Sequence, residues 1–197
     1  FWLSSKVLRF SGSYLASARL PRLLQPTLER LAAQTRESFS AVLLNGDEVV
    51  IVARSSNIRH SAADGMPRVL AYGLHLGARL PAYATSTGRV LLAAMPKTAF
   101  NDWMKKRELP RLTLHTVTEG RQLRAVIEQV RRDDFCLTSE EHELGVHALA
   151  VPLRNLQGKT VAALNVVAAP ARLTQLAMQR DLLPLLLDAA RELRPLL

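Results

Sequence analysis

Apolar residues recur along this chain with two different periods. In 22-RLLQPTLERLAAQTR-36, Leu24, Leu28, Leu31 and Ala32 fall three and four apart, the spacing of one buried helix face. Pro26 sits among them, and proline costs a helix interior a hydrogen bond, so the helix is expected to start near it. The pattern then changes. The runs 39-FSAVLLN-45 and 48-EVVIVAR-54 are rich in β-branched and apolar residues and flank Asn45-Gly46-Asp47. Asn and Gly tolerate positive φ, so this reads as a hairpin. A polar loop over 55-SSNIRHSAADGMP-67 and a mixed strand-and-loop stretch over 68–80 follow.

Thr85 or Ser86 is placed to cap a helix of about ten residues that ends at Pro96. Residues 98–107 predict a short helix anchored by Phe100 and Trp103. In 119-EGRQLRAVIEQVRRDDF-135, Leu123, Ile127 and Val130 define one buried face of another. The β signal returns in Phe135–Thr138 and in 146-VHALAVPLR-154 and 160-TVAALNVVA-168, the last two joined at Asn155-Leu156-Gln157-Gly158. A final helix spans 176–196, with Pro184 as its candidate kink. Strands joined by turns, with helices grouped around them, predict an antiparallel sheet in an α+β domain.

Composition narrows the class. The 197 residues suit one large domain, or one domain with an appendage, and 48% hydrophobic residues suffice for a core. Residues 1–20 read as a connector and 21–197 as the domain. The opening 1-FWLSSKVLRF-10 has no initiator Met and reads as a piece of a longer polypeptide. No secretory-signal pattern opens the chain, and 160-TVAALNVVAAPA-171 is too short to span a bilayer. A single cysteine, Cys136, cannot form an internal disulfide and fits a reducing cytoplasm.

The net charge of +9 is concentrated early: residues 1–36 hold six basic residues against Glu29 alone. A basic module that binds nucleic acid is one reading. No aromatic-interleaved groove follows, so a solvated basic face is preferred.

Candidate chemistry is sparse. His142 and His147 in 142-HELGVH-147 are five apart with Gly145 between, which fails the i, i+4 spacing of a zinc helix. Glu140, Glu141 and Glu143 are expected to form a solvated acidic turn. There is no G-x-S-x-G, Walker A or G-x-G-x-x-G motif. A small hydrolase using Ser86 or Cys136 stays open only as an alternative, because Cys136 sits in an apolar run and Ser86 has no sequence-local base. No cofactor or metal is called for.

Binding is better supported. The stretch 77-GARLPAYATSTGRVLLAAMP-96 puts free amides of residues 86–88, side-chain hydroxyls and the positive end of a helix dipole together. Gly88 is expected to let a ligand approach closely. Taken alone, the stretch reads first as an ordinary self-capped helix. Asn165, a lone amide in an apolar strand, and Thr138, at the end of a short one, both need polar partners if buried, and a ligand is one.

The segments 77-GARLPAYATSTGRVLLA-93, 140-EEHELGVHALAVPL-153 and 160-TVAALNVVAAPARLT-174 resemble the ligand-binding domain of the IclR family of bacterial transcription regulators. The Tyr-Ala-Thr-Ser and Gly-Arg-Val-Leu-Leu-Ala forms look most like the subgroup governing protocatechuate, 4-hydroxybenzoate and β-ketoadipate catabolism. Upstream, 3-LSSKVLRF-10 and 24-LQPTLERLAAQTRESFSAVLLNGDEVV-50 resemble the end of a winged helix, a linker helix and the first hairpin. The resemblance implies a GAF-like or profilin-like domain with an N-terminal linker helix, in a cytoplasmic homodimer or tetramer without enzymatic activity.

It also implies operator DNA as a partner through an N-terminal winged helix-turn-helix, and a small-molecule carboxylate as effector. The implied effector-binding positions are Val69, Ser86, Thr87, Thr138, Ala148, Asn165 and Val167. Thr138 replaces an Asp of other branches, Ala148 a Cys and Val167 a Ser. The expected pocket is therefore more apolar and suits an aromatic or longer-chain acid over a two-carbon one. Arg89 is expected to tie down neighbouring backbone or a partner face.

Overall fold

The computed structural model describes residues 19–55, 75–105 and 107–197. The expected connector therefore lies outside the described residues except for Arg19 and Leu20. Both belong to the first helix, α1 (Arg19–Thr35), which buries Pro21, Leu24, Leu28, Leu31 and Ala32. The apolar face is the one the periodicity predicted, but the helix does not start at Pro26: it runs through it. Burial of Leu24 and Leu28 on either side outweighs the lost hydrogen bond, because tertiary packing contributes more to a helix than propensity does.

Strands β1 (Ser38–Asn45) and β2 (Glu48–Arg54) form the expected hairpin. Its loop is Gly46-Asp47, because Asn45 still pairs with Glu48. The positive φ of 63° falls on Gly46, the first loop position, as in Gly-X two-residue turns. A bulge at Ala41/Val42 shifts the register, pairing Val42 with Ile51.

Strand β3 (Arg79–Pro81) pairs with β2 and leads through a 3₁₀ turn (Ala82–Ala84) into α2 (Ser86–Ala93), which is shorter than expected. Helices α3 (Lys97–Met104) and α4 (Gly120–Asp133) follow, and Phe100 and Trp103 stack with centroids 6.2 Å apart. Next come β4 (Cys136–Ser139), β5 (His147–Arg154) and β6 (Thr160–Ala168). The chain closes with α5 (Gln175–Ala177), a π-helical turn (Met178–Leu182) and α6 (Leu183–Leu193). The irregularity expected at Pro184 is that π turn, placed just before the proline.

The six strands form one antiparallel sheet in the order β3-β2-β1-β6-β5-β4. Alternation divides the core in two. Phe39, Ala41, Leu149, Val151, Leu164 and Val166 point to one face, covered by α1 and α6. Val42, Cys136, Ala150 and Ala163 point to the other, under α2, α3 and α4. On this second face the central strands carry small side chains, which leaves a hollow beneath the start of α2.

Candidate ligand-binding site

Position Ser86 is where sequence and structure meet most closely. Thr85 takes extended angles and caps α2: its Oγ1 accepts the Gly88 amide at 3.2 Å and donates to the Pro81 carbonyl at 3.1 Å. Thr85 thus uses the Gly88 donor and leaves the first-turn amides of Ser86 and Thr87, which have no place in the intrahelical ladder. The Ser86 side chain is 1% exposed, and its Oγ finds no hydrogen-bond partner among the described residues. It is the one such buried side-chain atom among the described residues. A buried hydroxyl without a partner costs free energy, so a polar group brought to this atom is favoured.

Ser86 faces a pocket whose empty space, its open mouth included, is about 580 Å³. The sheet supplies the floor as a lattice of period two. Thr138 pairs with Ala148 and Ala148 with Val167; one row along, Asn165 lies between Ala150 and Ser40. Val42, Ile51 and Leu80 form an apolar wall, and the β4–β5 loop contributes Glu141, His142, Glu143 and Val146. Ser86, Thr87, Thr138, Ala148, Asn165 and Val167 all line this one pocket. Val69 lies outside the described residues.

Asn165 has a protein partner that the sequence reading missed: Ser40 Oγ donates to its Oδ1 at 2.6 Å. The amide NH2 has none among the described residues and remains available in the pocket. Ser40 could have been found from alternation, because it sits between the oppositely facing Phe39 and Ala41. Its pairing with Asn165 depends on strand register across 125 positions of sequence.

Two expectations are corrected. Gly88 does not open space for a ligand; a Cβ there would lie 2.1 Å from the Ala82 carbonyl oxygen, so glycine is required for the 3₁₀ turn to pack on α2. Nor is 140–143 merely a solvated acidic turn. Glu141 makes a bidentate ion pair with Arg89 (2.6 and 2.5 Å), and Arg89 is 2% exposed. Arg89 Nε also donates to the Tyr83 carbonyl at 2.8 Å, so it does tie down neighbouring backbone. The Glu141 carboxylate further accepts the Val117 amide, and its carbonyl accepts from Thr116 Oγ1 at 2.7 Å. This network clamps the loop, and the chain around Thr113–Val117, to the base of α2.

The chemistry of the remaining candidates is limited. Burial pushes the Cys136 thiol up to about 11, against the pull of Arg89, so it carries no thiolate at neutral pH. Ser86 Oγ has no base bonded to it. His147 is buried at the start of β5, its Nδ1 3.1 Å from the Leu173 carbonyl, and does not share the pocket with His142. No group of histidines, cysteines and acids among the described residues could hold a metal ion. No helix among them is long and apolar enough to cross a membrane.

Comparison with known proteins places this geometry in context. The family model described as the C-terminal part of the bacterial transcriptional regulator IclR matches residues 12–194. The chain is 45% identical over 197 residues to the Pca operon regulatory protein of Acinetobacter baylyi, covering 100% of the chain and 69% of that protein. It is 47% identical over 196 residues to the p-hydroxybenzoate hydroxylase transcriptional activator of the same organism, covering 100% and 71%. Among solved structures, it resembles a double mutant of the Acinetobacter PobR inducer-binding domain with 3-hydroxybenzoic acid (TM-score 0.80, 45% identity, 90% of this chain and 98% of that one). It also resembles an IclR homologue from Microbacterium hydrocarbonoxydans with 4-hydroxybenzoate (TM-score 0.69, 28% identity, 89% and 67%).

Proposed function

The chain belongs to the IclR family of bacterial transcriptional regulators, as an effector-binding domain, and from that premise we propose that the pocket under α2 holds a small aromatic hydroxy acid. The observation that carries this reading is the buried, unpartnered Ser86 hydroxyl at a helix N-terminus. In this reading the acid's carboxylate takes Ser86 Oγ and the amides of Ser86 and Thr87, with the helix dipole behind them. The ring lies among Val42, Ile51, Ala148 and Val167, and the Asn165 amide and Thr138 hydroxyl read a ring substituent. The apolar wall suits an aromatic ring over a two-carbon acid. The hydroxybenzoates named in the two related structures are of this class.

A second copy of the chain and operator DNA are the macromolecular partners this reading brings. The ligand acts by binding one arrangement of the dimer or tetramer better than another, because it shifts that equilibrium only by its differential affinity. Calorimetric titration with 4-hydroxybenzoate, protocatechuate and β-ketoadipate tests the pocket. Heat is expected with at least one aromatic acid. Ser86→Ala is expected to weaken it roughly tenfold or more, as for loss of a hydrogen bond to a charged group, and Asn165→Ala is also expected to weaken it. Absence of heat with all three acids, or native affinity in both variants, rules the assignment out.

A further inference from the structure

The described lining of the pocket contains no Lys or Arg, yet the ligand proposed for it is an anion. A carboxylate taken out of water needs compensation, and the dipole of a short helix supplies only part of it. Arg89 is adjacent but is already engaged by Glu141. The remaining described lining group that can become cationic near neutral pH is His142. Its imidazole is half-buried, and neither nitrogen has a hydrogen-bond partner among the described residues.

The loop that carries it is framed on both sides. The Glu140 amide donates to the Val146 carbonyl at 2.7 Å, and the Gly145 amide to Glu140 Oε1 at 2.8 Å. Thr113 Oγ1 donates to the Glu140 carbonyl at 2.6 Å. Among the described residues, the charged groups around the imidazole are few. Glu143 is its exposed neighbour and Glu141 is neutralised by Arg89; Glu140 lies 4.0 Å from His115 on the facing segment. From α2 come hydroxyls and amides, and from β6 the uncharged Asn165.

We propose that His142 is a charge-matching residue of this pocket, taking up a proton as an anionic acid binds. The proposal rests on the acid-binding reading above and adds to it a proton and the residue that carries it. In the empty pocket, burial holds the imidazole below its ordinary value, with Glu143 pulling the other way, so at pH 7 it is neutral. A carboxylate beside it favours the imidazolium and raises that value. The affinity therefore rises as pH falls through the value of the complex and levels off below that of the empty pocket. The ligand carboxyl titrates near pH 4, well below this window, and contributes nothing to it.

The test is calorimetric titration of the chain with 4-hydroxybenzoate at pH 6.5, in two buffers of different ionisation enthalpy, with dissociation constants also measured at pH 6, 7 and 8. The native chain is expected to show net proton uptake and to bind roughly 3- to 10-fold more tightly at pH 6 than at pH 8. His142→Gln, which removes no hydrogen bond among the described residues, is expected to bind with a flat pH profile and no uptake. Native binding that is independent of pH, or uptake that persists in His142→Gln, overturns the role of His142 and leaves the acid pocket standing. Native protein that binds none of the aromatic acids overturns the acid pocket and this inference with it.

Discussion

At residue scale, the start of α2 carries three small residues with three separate duties. Thr85 closes the helix on itself, Ser86 is left unsatisfied toward the pocket, and Gly88 is there for packing. The sequence showed a polar, glycine-containing helix start, but not this division, because hydroxyl direction and backbone proximity depend on how the 3₁₀ turn docks. Gly88 gives the cleanest check. The obstacle to a methyl group is backbone, which cannot swing aside as a flexible side chain can. Gly88→Ala is expected to destabilise by roughly 1–3 kcal/mol, toward the upper end, despite alanine's better helix propensity. Denaturant unfolding measures it, and an unchanged or raised midpoint would remove the packing argument.

Asn165 shows what was readable and what was not. A polar residue on an apolar strand signals a partner or a ligand; its partner, Ser40, became visible only once β1 and β6 were in register.

At the scale of elements, periodicity located nearly every helix face and strand, and it failed where tertiary contacts override local preference. Pro26 lies inside α1 because the helix is held by its buried leucines. The β4–β5 loop reads locally as acidic and soluble, and nothing near it in sequence announces that Arg89, fifty-two positions away, buries one of its carboxylates. That ion pair ties α2 to the loop and predicts a strongly coupled response. Arg89→Met leaves Glu141 shielded from water without its counter-charge and is expected to cost about 3–5 kcal/mol. The double variant Arg89→Met/Glu141→Leu is expected to be distinctly more stable than the sum of the two single effects. Denaturant midpoints for the four proteins give the coupling, and simple additivity would show that the pair is not the clamp.

At the scale of the whole molecule, one sheet separates two cores, and the pocket belongs to only one of them. A ligand bound as proposed would have two physical routes outward. One is the Glu141 network, which joins the pocket lining directly to the chain at Thr113–Val117. The other crosses the sheet: Ser40, bonded to Asn165 on the pocket face, is followed along β1 by Ala41 and preceded by Phe39, both of which pack in the core beneath α1. Helix α6 shares that far core but packs chiefly on β5, whose pocket residue Ala148 has no side-chain hydrogen bond to offer, whereas α1 packs on β1, which carries Ser40. Amide hydrogen exchange with and without saturating 4-hydroxybenzoate separates these routes, because local openings report the stability of their own segment. Exchange is expected to slow most in the first turn of α2 and in residues 113–117 and 140–146. A smaller slowing is expected in the second half of α1, and least in α6. Equal slowing of α1 and α6 would mean that the ligand merely stabilises the domain globally. A graded response would make α1, at the N-terminal end of the domain, the element on which a change in the pocket is first felt across the sheet.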